Sequence, residues 1–501
     1  MTVVLALDAG TTGVRTVAIG HDGIPRHSAY REFTQYFPQP GWVEHDAEEI
    51  WEAMAQTISE VVETLDADGE DIAAIGITDQ RETVVVWDRT TGEPRHRAIV
   101  WQDRRTAARC DALETAGHLD LVRGTTGLVL DPYFSGSKLE WLLTEGGVSA
   151  DDLAFGTVDS WLIWKLTGGA AHVTDVSNAS RTMLFDIRSM QWSPEMLDLF
   201  SIPAECLPEV RPSSGEFGHT AEGMAIPAGI PISGVAGDQQ AALFGQACFE
   251  PGMTKNTYGT GSFVLMNVGD TCPEPVDGLL TTVAWTLDEA GVSQTAYALE
   301  GAIFVTGAAV QWLRDGLGII SDAAEIGPLA AECDTTDGVY LVPAFAGLGS
   351  PFWDPYARGT LVGITRGTGR AQLARATVEA MAYRTRDVVD AMSLASGHAI
   401  EELRVDGGAS VMDLLLQFQA DQLGVTVTRP TNQETTALGA AYLAGLAVGF
   451  WQGLDDISEQ WSVDVTVEPD KDRSNADALY ASWQRAVERS RNWVRDEEPQ
   501  P

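Results

Sequence analysis

The sequence is poor in lysine and in positive charge. Of its 501 residues, Asp and Glu number 72 against 32 Lys and Arg, which gives a net charge of −40 at pH 7. Binding to nucleic acid or to an anionic membrane requires basic patches, so both partners are disfavoured. Repulsion between carboxylates is strong at low ionic strength but is screened in molar salt, where the Debye length is about 3 Å. The charge therefore predicts a cytoplasm with very high salt, as in a halophilic archaeon, rather than a mildly acidic mesophilic protein.

Cysteines and long apolar runs are also scarce. The five cysteines are scattered and form no C-x-x-C pair, which indicates reduced thiols and disfavours a zinc site or a disulfide framework. The longest apolar stretch, 438–451, is shorter than the roughly 20 residues that a membrane-spanning helix needs. Asp8 and the glycines after it interrupt the first apolar run, which disfavours a signal peptide. We therefore expect a soluble, cytoplasmic protein.

Several common catalytic motifs are absent from the sequence. It contains no glycine followed by lysine, and therefore no Walker-type P-loop, and no G-x-G-x-x-G, G-x-S-x-G or H-E-x-x-H pattern. The eight histidines are dispersed. These absences disfavour dinucleotide-dependent oxidoreductases, esterases and metalloproteases.

What the sequence does contain is three turns in which an acidic residue adjoins glycine after a predicted strand. They are Asp8-Ala9-Gly10-Thr11-Thr12, Gly237-Asp238-Gln239 and Asp406-Gly407-Gly408. Glycines let backbone N–H groups approach an anion, and threonine hydroxyls add donors. A carboxylate beside phosphate is favourable if a divalent cation bridges the two or if the carboxylate acts as a base. Each turn alone could be structural, with Asp8 as a turn former and Asp238 as a helix cap.

The spacing of apolar residues predicts an α/β fold in two related halves. Strands are expected over 3–7 and 14–19, and a helix capped by Asp46 over 46–65. The segment "NTYGTGSFVLMNVG" repeats the pattern of "LDAGTTGVRTVAIG" about half a chain later, as a duplicated architecture would. Small residues in a helix over 436–451 suit close helix packing, and a last helix over 476–494 is expected to be a peripheral cap.

From end to end the sequence resembles the FGGY carbohydrate kinase family. The resemblance is carried by "GITDQRETVVVW", "AIVWQDRRT", "DPYFSGSK", "FGTVDSWLIWKLTGG", "SNASRTMLFDI", "GDQQAALFGQ", "KNTYGTGSF", "LEGAIFVTGAAVQWLRD", "PAFAGLGSPFWDPYARG" and "RVDGGAS". It implies an α/β fold of two actin-like (ribonuclease H-like) domains with a catalytic cleft between them. We place these domains at 1–248 and 249–501, the second with a C-terminal helical cap.

The resemblance also implies an activity. The match through 76–137 is closer to members that phosphorylate glycerol than to the pentulose or gluconate kinases of the family. The implied reaction is ATP-dependent phosphorylation of glycerol to sn-glycerol 3-phosphate, with Mg²⁺ and ATP as cofactors, and a homo-oligomer, either dimer or tetramer, is expected. Two alternatives stay open at this point: a sibling kinase acting on erythritol, dihydroxyacetone or a pentulose, and an actin-like nucleotide switch that binds partners.

Carried over position by position, the resemblance assigns roles to individual residues. Asp8 corresponds to the metal-holding aspartate, and Asp238 to the general base. The positions implied to contact glycerol are Arg81, Glu82, Trp101, Tyr133, Asp238, Gln239 and Phe263. The positions implied to contact the nucleotide are Thr11, Thr12, Arg15, Thr260, Gly307, Gln311 and Gly408.

From the residues alone, other readings of the pocket positions are available. Arg81 and Glu82 could form a surface ion pair, and Trp101 and Tyr133 could be core aromatics. The chain also departs from the family pattern. Asp79 stands where members often have asparagine, which we attribute to general acid enrichment. Met412 replaces an asparagine near the adenine, which leaves nucleotide preference open, and segment 220–234 lacks the basic loop that binds fructose 1,6-bisphosphate in some members.

Overall fold

The computed structural model describes residues 2–289 and 292–494. The strands are β1 Thr2–Ala9, β2 Gly13–Gly20, β3 Pro25–Glu32, β4 Glu44–His45, β5 Asp71–Asp79, β6 Val85–Asp88, β7 Ala98–Ile99, β8 Leu153–Gly156, β9 Val173–Asp175, β10 Phe185–Asp186, β11 Gln191–Trp192, β12 Glu209–Arg211, β13 Ser214–His219, β14 Pro231–Gly237, β15 Thr254–Tyr258, β16 Ser262–Gly269, β17 Leu280–Glu289, β18 Val292–Ile303, β19 Tyr340–Val342, β20 Thr360–Val362, β21 Glu402–Asp406, β22 Thr426–Pro430 and β23 Val463–Val467.

The α-helices are α1 Ala47–Asp68, α2 Ala107–Thr115, α3 Leu119–Thr126, α4 Ser135–Thr144, α5 Val158–Leu166, α6 Val176–Ala179, α7 Pro194–Leu199, α8 Asp238–Gly245, α9 Gly307–Gln311, α10 Ile326–Ala330, α11 Arg370–Ser396, α12 Asp413–Leu423, α13 Thr435–Ala447, α14 Leu454–Gln460 and α15 Ser474–Ser490. Short 3-10 turns cover Ala204–Cys206, Ala323–Glu325 and Gly408–Val411, and a π-helical turn covers Trp312–Gly316. None of the helices within 2–289 and 292–494 is long and apolar enough to cross a membrane.

The principal sheet contains the same five-stranded unit twice. Its order is β23-β22-β21-β15-β16-β18-β17-β13-β14-β5-β1-β2-β3. In the first half an antiparallel β3-β2-β1 meander adds the parallel strands β5 and β14. In the second half β18-β16-β15 adds β21 and β22 in the same senses. The predicted duplicated α/β architecture is therefore confirmed. The boundary predicted at 248/249 falls between α8 and β15, and the division into domains there stays a prediction.

Helices α8 and α13, each following the fifth strand of its unit, pack directly against each other. A Cβ added to Gly245 would lie 1.9 Å from the carbonyl oxygen of Thr435, and one added to Gly439 would lie 1.8 Å from that of Ala241. Only glycine allows backbones to approach so closely. The close packing predicted from the small residues of this segment is confirmed, and it joins the two halves through helix backbone.

Most of the predicted elements are confirmed. Strands β1 and β2 and helix α1 lie where they were expected, and the Asp46 side chain accepts a hydrogen bond from the Glu48 N–H at the start of α1. The last helix ends at Ser490, and it buries one face while the other is exposed. Trp483 on the buried face is fully buried, and its indole N–H faces the Asp387 carboxylate of α11. The role of this helix as a cap on the second domain stays a prediction.

Candidate active site

Two of the acid–glycine turns meet at one edge of the sheet. Asp8 is the next-to-last residue of β1, and its ladder partner is Thr78 of β5. On the other side of β5, Gly237 pairs with Asp79, and Asp238 follows as the first residue of α8. Since β1, β5 and β14 are parallel, their carboxyl ends open on the same side, which is where α/β sheets bind ligands. Asp8 and Asp238 are therefore neighbours in space although they are far apart in sequence.

The Asp8 carboxylate receives no hydrogen bond from the described residues. Burial and the nearby charge of Asp238 raise its pKa to about 7, against the influence of Arg15. Within the described ranges, burial and neighbouring charges set this pKa, and no hydrogen bond contributes to it. In the same part of the chain, no group of three or more His, Cys, Asp or Glu side chains could hold a metal ion. Mg²⁺ keeps several waters and is often bound by one or two carboxylates plus substrate phosphates, so the Asp8 environment fits it.

Neutral side chains fix the loop between β1 and β2 by hydrogen bonds to its backbone carbonyls. The Gln80 amide donates to the Gly10 carbonyl at 3.0 Å, and the Gln35 amide donates to the Thr11 carbonyl at 3.0 Å. His45 lies between these two glutamines, 2.7 Å from Gln35 Oε1 and 3.3 Å from Gln80 Nε2. Burial lowers the pKa of His45 to about 4, so the ring is neutral at pH 7. Thr12 is exposed at the tip, where an anionic ligand can reach the loop.

Arg15 lies at the outer side of this loop. It pairs with Glu434, which immediately precedes α13 in the second half of the chain, and its guanidinium lies over the Tyr30 ring. The first half of the site is thus linked by an ion pair to the second.

Arg81 and Glu82 are buried, so the surface ion-pair interpretation is wrong. They are 2% and 1% exposed, and Glu82 has a φ of 64°, which is strained for a non-glycine residue and typical of functional turns. Arg81 Nη1 donates to Glu300 Oε2 at 2.5 Å, and Arg181 Nη2 donates to Glu300 Oε1 at 2.8 Å. Arg181 Nε also donates to Glu82 Oε1 at 2.7 Å.

These four residues form a closed network of two positive and two negative charges, called the charge network below: Arg81, Glu82, Arg181 and Glu300. Although burial opposes it, Arg181 and Arg81 hold the pKa of Glu300 below its ordinary value. Such a network is stable only while all of its members are present, because a buried charge without a partner is costly. The network fixes the direction in which Arg81 and Glu82 face the cleft.

Three polar groups in or beside the charge network keep hydrogen-bonding capacity for a ligand. The Asp238 carboxylate lies 3.2 Å from Arg81 Nε, and burial raises its pKa while Arg81 and Lys255 oppose that rise. Arg181 donates to Glu82 Oε1 and not to Glu82 Oε2, so the second carboxylate oxygen can accept from a ligand. Gln239 accepts a hydrogen bond through Oε1 and keeps its amide N–H groups for another partner.

Aromatic rings close the space around these groups. Trp101 and Tyr133 lie edge to face with their centroids 5.7 Å apart, and Trp101 and Phe263 are 6.4 Å apart. The Arg81 guanidinium lies over Phe263, 5.6 Å from its centroid. Tyr133 is buried in the core and also accepts a hydrogen bond from Arg81, and its contact with glycerol stays a prediction. The Trp101 indole N–H donates to the Thr11 hydroxyl at 3.0 Å, which connects this wall to the first loop.

The second hairpin presents a Gly-Thr-Gly turn to the same cleft. Thr260 is exposed, and its carbonyl accepts hydrogen bonds from the N–H groups of Thr306 and Ala308 at the start of α9. Gly307 approaches so closely that an added Cβ would lie 2.7 Å from the Gly259 oxygen. The turn and the helix start therefore form one rigid piece.

The remaining candidate nucleotide positions flank this turn. Gln311 is exposed at the end of α9 and is followed by the π-helical turn, a feature often found at functional sites. Gly408 is exposed, and a Cβ there would meet nothing within 4 Å. Met412 Cγ lies 3.6 Å from the position of a Cβ on Gly327, so its apolar side chain borders α10.

The third acid–glycine turn is structural. Asp406 is buried, and its Oδ2 accepts from Gln246 Nε2 and from the Thr435 hydroxyl, both at 2.7 Å. These donors lie at the end of α8 and the start of α13, so the carboxylate ties the two crossing helices to β21. Gly407 has a φ of 85° and touches Tyr258, which explains the glycine without a ligand.

Our explanation of Asp79 is wrong. This residue is fully buried, so it cannot belong to an acidic surface adapted to salt. It accepts a hydrogen bond from the Asn178 amide at 2.9 Å, and burial together with Asp159 raises its pKa well above the ordinary value. Burial therefore favours the protonated form of Asp79, which has a donor and an acceptor, as does the asparagine that members often carry there.

Sequence reasoning missed Arg181, Glu300 and Lys255. All three stand in segments that carry the family resemblance, but their partners are distant in sequence, and Glu300 is 219 residues from Arg81. The one available signal was charge in an otherwise apolar run, as in "ALEGAIFV".

Comparisons with known proteins agree with this arrangement. Residues 3–245 match the N-terminal domain of the FGGY family of carbohydrate kinases, and residues 254–448 match its C-terminal domain. The chain is 55% identical over 499 residues to a glycerol kinase of Carboxydothermus hydrogenoformans, covering 99% of each chain. It is 56% identical over 499 residues to one of Trichlorobacter lovleyi, covering 99% of this chain and 100% of that one.

Solved structures give the same result for the fold. A Plasmodium falciparum glycerol kinase with ADP superposes with a TM-score of 0.91 at 34% identity, covering 98% of both chains. A gluconate kinase of Lactobacillus acidophilus, with a TM-score of 0.86 at 21% identity over 97% of both chains, shares the fold. The duplicated sheet, the two hairpin loops that face one cleft and these matches lead to one conclusion: the chain belongs to the FGGY family of carbohydrate kinases.

Proposed function

We propose that this protein phosphorylates glycerol with ATP, giving sn-glycerol 3-phosphate and ADP, and that it does so in the cytoplasm, where ATP is available. The observation that carries the proposal is the pocket between the charge network and the aromatic rings. It offers a carboxylate at Asp238, a carboxylate oxygen at Glu82 and amide N–H groups at Gln239. A small triol has three hydroxyls on an apolar frame, and these groups with the rings match it.

Asp238 is the base of the reaction. The attacking hydroxyl passes its proton to the Asp238 carboxylate as its oxygen bonds to the γ-phosphorus and the bond to ADP breaks. Burial raises the pKa of Asp238, which makes its carboxylate a better proton acceptor, while Arg81 and Lys255 oppose that rise and favour the ionised form. The base need not be strong, because phosphoryl transfer depends mainly on positioning and charge stabilisation.

The phosphates of ATP lie between the two hairpin loops in this proposal. Thr11, Thr12 and Arg15 contact them from the first loop, and Thr260 does so from the second. Asp8 is the residue that would hold Mg²⁺, which neutralises phosphate charge when bound. Gly307, Gln311 and Gly408 border the rest of the nucleotide.

The selectivity of the pocket comes from hydrogen bonds between its buried polar groups and the hydroxyls of the substrate. A pocket whose buried polar groups await hydroxyls rejects analogues that lack them, because those groups would then be left without partners. Trp101 and Phe263 exclude water, which limits transfer of the phosphoryl group to water.

A coupled ADP-release assay over a panel of polyols tests the proposal. The panel contains glycerol, erythritol, dihydroxyacetone and a pentulose, each assayed at low and at molar KCl. We expect glycerol to give the highest kcat/KM and molar KCl to raise it. A better substrate than glycerol would identify a sibling kinase, and ATP hydrolysis independent of any polyol would indicate a nucleotide switch. Light scattering in molar KCl tests the expected dimer or tetramer.

A further inference from the structure

Lys255, one of only four lysines in the chain, is fully buried beside the pocket. Its Nζ donates to Gln239 Oε1 at 2.5 Å and to the Thr257 hydroxyl at 2.9 Å. Both of these close partners are neutral oxygens, while the carboxylates of Asp406 and Asp238 act on it from farther away. Burial lowers the pKa of Lys255 to about 8, which leaves most of the side chain protonated at neutral pH.

A buried ammonium held mainly by neutral groups is an expensive structural element. A neutral donor would fill the same space at lower cost if packing were the only requirement. The reason for the charge is therefore to be found in the groups that Lys255 touches, and one of them, Gln239, belongs to the proposed glycerol pocket.

An ammonium imposes a direction on the amide that it contacts. Lysine has three donors and no acceptor, whereas a glutamine amide has an acceptor on one side and donors on the other. Contact with Lys255 therefore requires Gln239 to turn its oxygen inward. Its N–H groups must then point away from Lys255, toward the pocket.

We propose that Lys255 is a positioning residue that locks the Gln239 amide as a hydrogen-bond donor to one hydroxyl of the substrate. The proposal rests on the proposed function of the site, because it takes the pocket to hold a polyol. Without Lys255 the amide rotates freely and presents donor and acceptor alternately. The substrate hydroxyl then loses a fixed partner, and discrimination against analogues that lack this hydroxyl weakens.

A double-mutant cycle of Lys255→Met and Gln239→Ala tests the lock, with kinetics measured for glycerol, propane-1,2-diol and propane-1,3-diol. We expect Lys255→Met to raise KM for glycerol about tenfold, the value of one good hydrogen bond, with a smaller change in kcat. One of the two diols lacks the contacted hydroxyl, and for it KM should hardly change. In the Gln239→Ala background, Lys255→Met should add no further increase for glycerol. Independent, additive increases would overturn the proposal.

Thr257→Val is the matched control, because it removes the other neutral partner of Lys255 and leaves the contact with Gln239. It should keep KM for glycerol within about twofold of wild type. An increase as large as that of Lys255→Met would mean that the ammonium acts only through general packing.

Gln239→Glu tests the orientation without altering Lys255, and it remains decisive if Lys255→Met does not fold. The carboxylate pairs with the ammonium but offers no N–H to the substrate, so KM for glycerol should rise as in Gln239→Ala. An unchanged KM would show that this position accepts, rather than donates, a hydrogen bond and would overturn the lock. Glycerol turnover by the wild type in the same assay separates these outcomes from a failure of the proposed function, in which no variant or wild type would phosphorylate glycerol.

Discussion

The first and third acid–glycine turns look alike in sequence and differ completely in use. Asp8 and Asp406 both stand at the carboxyl end of a strand in the duplicated unit, and a glycine follows each within two residues. Two donors, Gln246 and Thr435, occupy one oxygen of Asp406. By contrast, burial and neighbouring charges alone set the pKa of Asp8, without a hydrogen bond from the described residues.

The two copies of the unit therefore give their carboxylates different roles, structural in the second and available for binding in the first. In the second unit the carboxylate ties α8 and α13 to the sheet, and the hairpin turn beside it carries no acid at all. In the first unit the carboxylate remains free beside Asp238, at the cost of a raised pKa. Asp8, which the described residues leave without donors, is available to a cation, whereas Asp406 is committed to structure by its two donors.

The largest effect is expected at the second turn, where Asp238 is the proposed base. Asp238→Asn removes the proton acceptor while keeping the size of the side chain, so kcat should fall about 10²–10⁴-fold. Calorimetry should show glycerol binding largely preserved. Asp277→Asn, at a side chain that is 96% exposed, serves as the control and should retain wild-type turnover. Near wild-type activity of Asp238→Asn in molar KCl would refute the assignment of the base.

The next largest effect is expected in the charge network. Glu300→Gln leaves Arg81 and Arg181 buried without their shared carboxylate, and breaking a buried ion pair costs about 3–5 kcal/mol. We expect a lower melting temperature in molar KCl and a raised KM for glycerol, because Arg81 no longer faces Asp238 in a fixed direction. The control Glu274→Gln alters an exposed pair and should change neither quantity. Unchanged melting and KM would mean that the network is dispensable.

Thermal stability should distinguish Asp8 from Asp406 by opposite signs. The pKa of Asp8 in the folded protein is about 7, above its unfolded value, so its contribution to stability is present at low pH and is lost as pH rises through about 7. Asp8→Asn should therefore melt at a higher temperature than wild type at pH 8, without Mg²⁺ or nucleotide, and the gain should vanish near pH 4. Asp406→Asn should melt lower, because an amide cannot accept from both donors as well as a carboxylate does. Shifts of equal sign would contradict the comparison.

The smallest effect is expected at the bridge between the pocket and the first loop. Trp101→Phe keeps an aromatic wall but removes the indole N–H that donates to Thr11. One neutral hydrogen bond contributes about 0.5–1.5 kcal/mol, so KM values for glycerol and ATP should rise only a few-fold. Trp192→Phe, which removes an indole N–H remote from the cleft, is the control. A change for glycerol alone would mean that the bridge does not reach the loop.

Much of the fold could be predicted because its signals are local. Apolar runs bounded by turns indicated β1, β2 and β16, and the capping aspartate marked the start of α1. The family motifs named Arg81 and Glu82, but from the residues alone a surface pair was the commoner expectation. The partners of that buried pair are Arg181 and Glu300, which are distant from it in sequence and contact it only in the folded chain.

The role of each acidic residue could not be predicted either, because that role depends on partners that are distant in sequence. Asp406 is committed to structure because its donors arrive from 160 and 29 residues away. Asp79 looked like part of an acidic surface because burial cannot be read from one residue in a polar turn. Lys255 is flanked by polar residues, so nothing local marked it as the partner of Gln239.

The most direct test of the account is ADP release from ATP and glycerol by wild type, Asp8→Asn and Asp406→Asn while Mg²⁺ is titrated. If Asp8 holds the cation and Asp406 holds the fold, Asp8→Asn should lose at least about a hundredfold in activity and require more Mg²⁺. Asp406→Asn should keep most of its activity below its melting temperature, with the Mg²⁺ dependence of wild type. Wild-type Mg²⁺ dependence in Asp8→Asn, or equal losses in both variants, would contradict it.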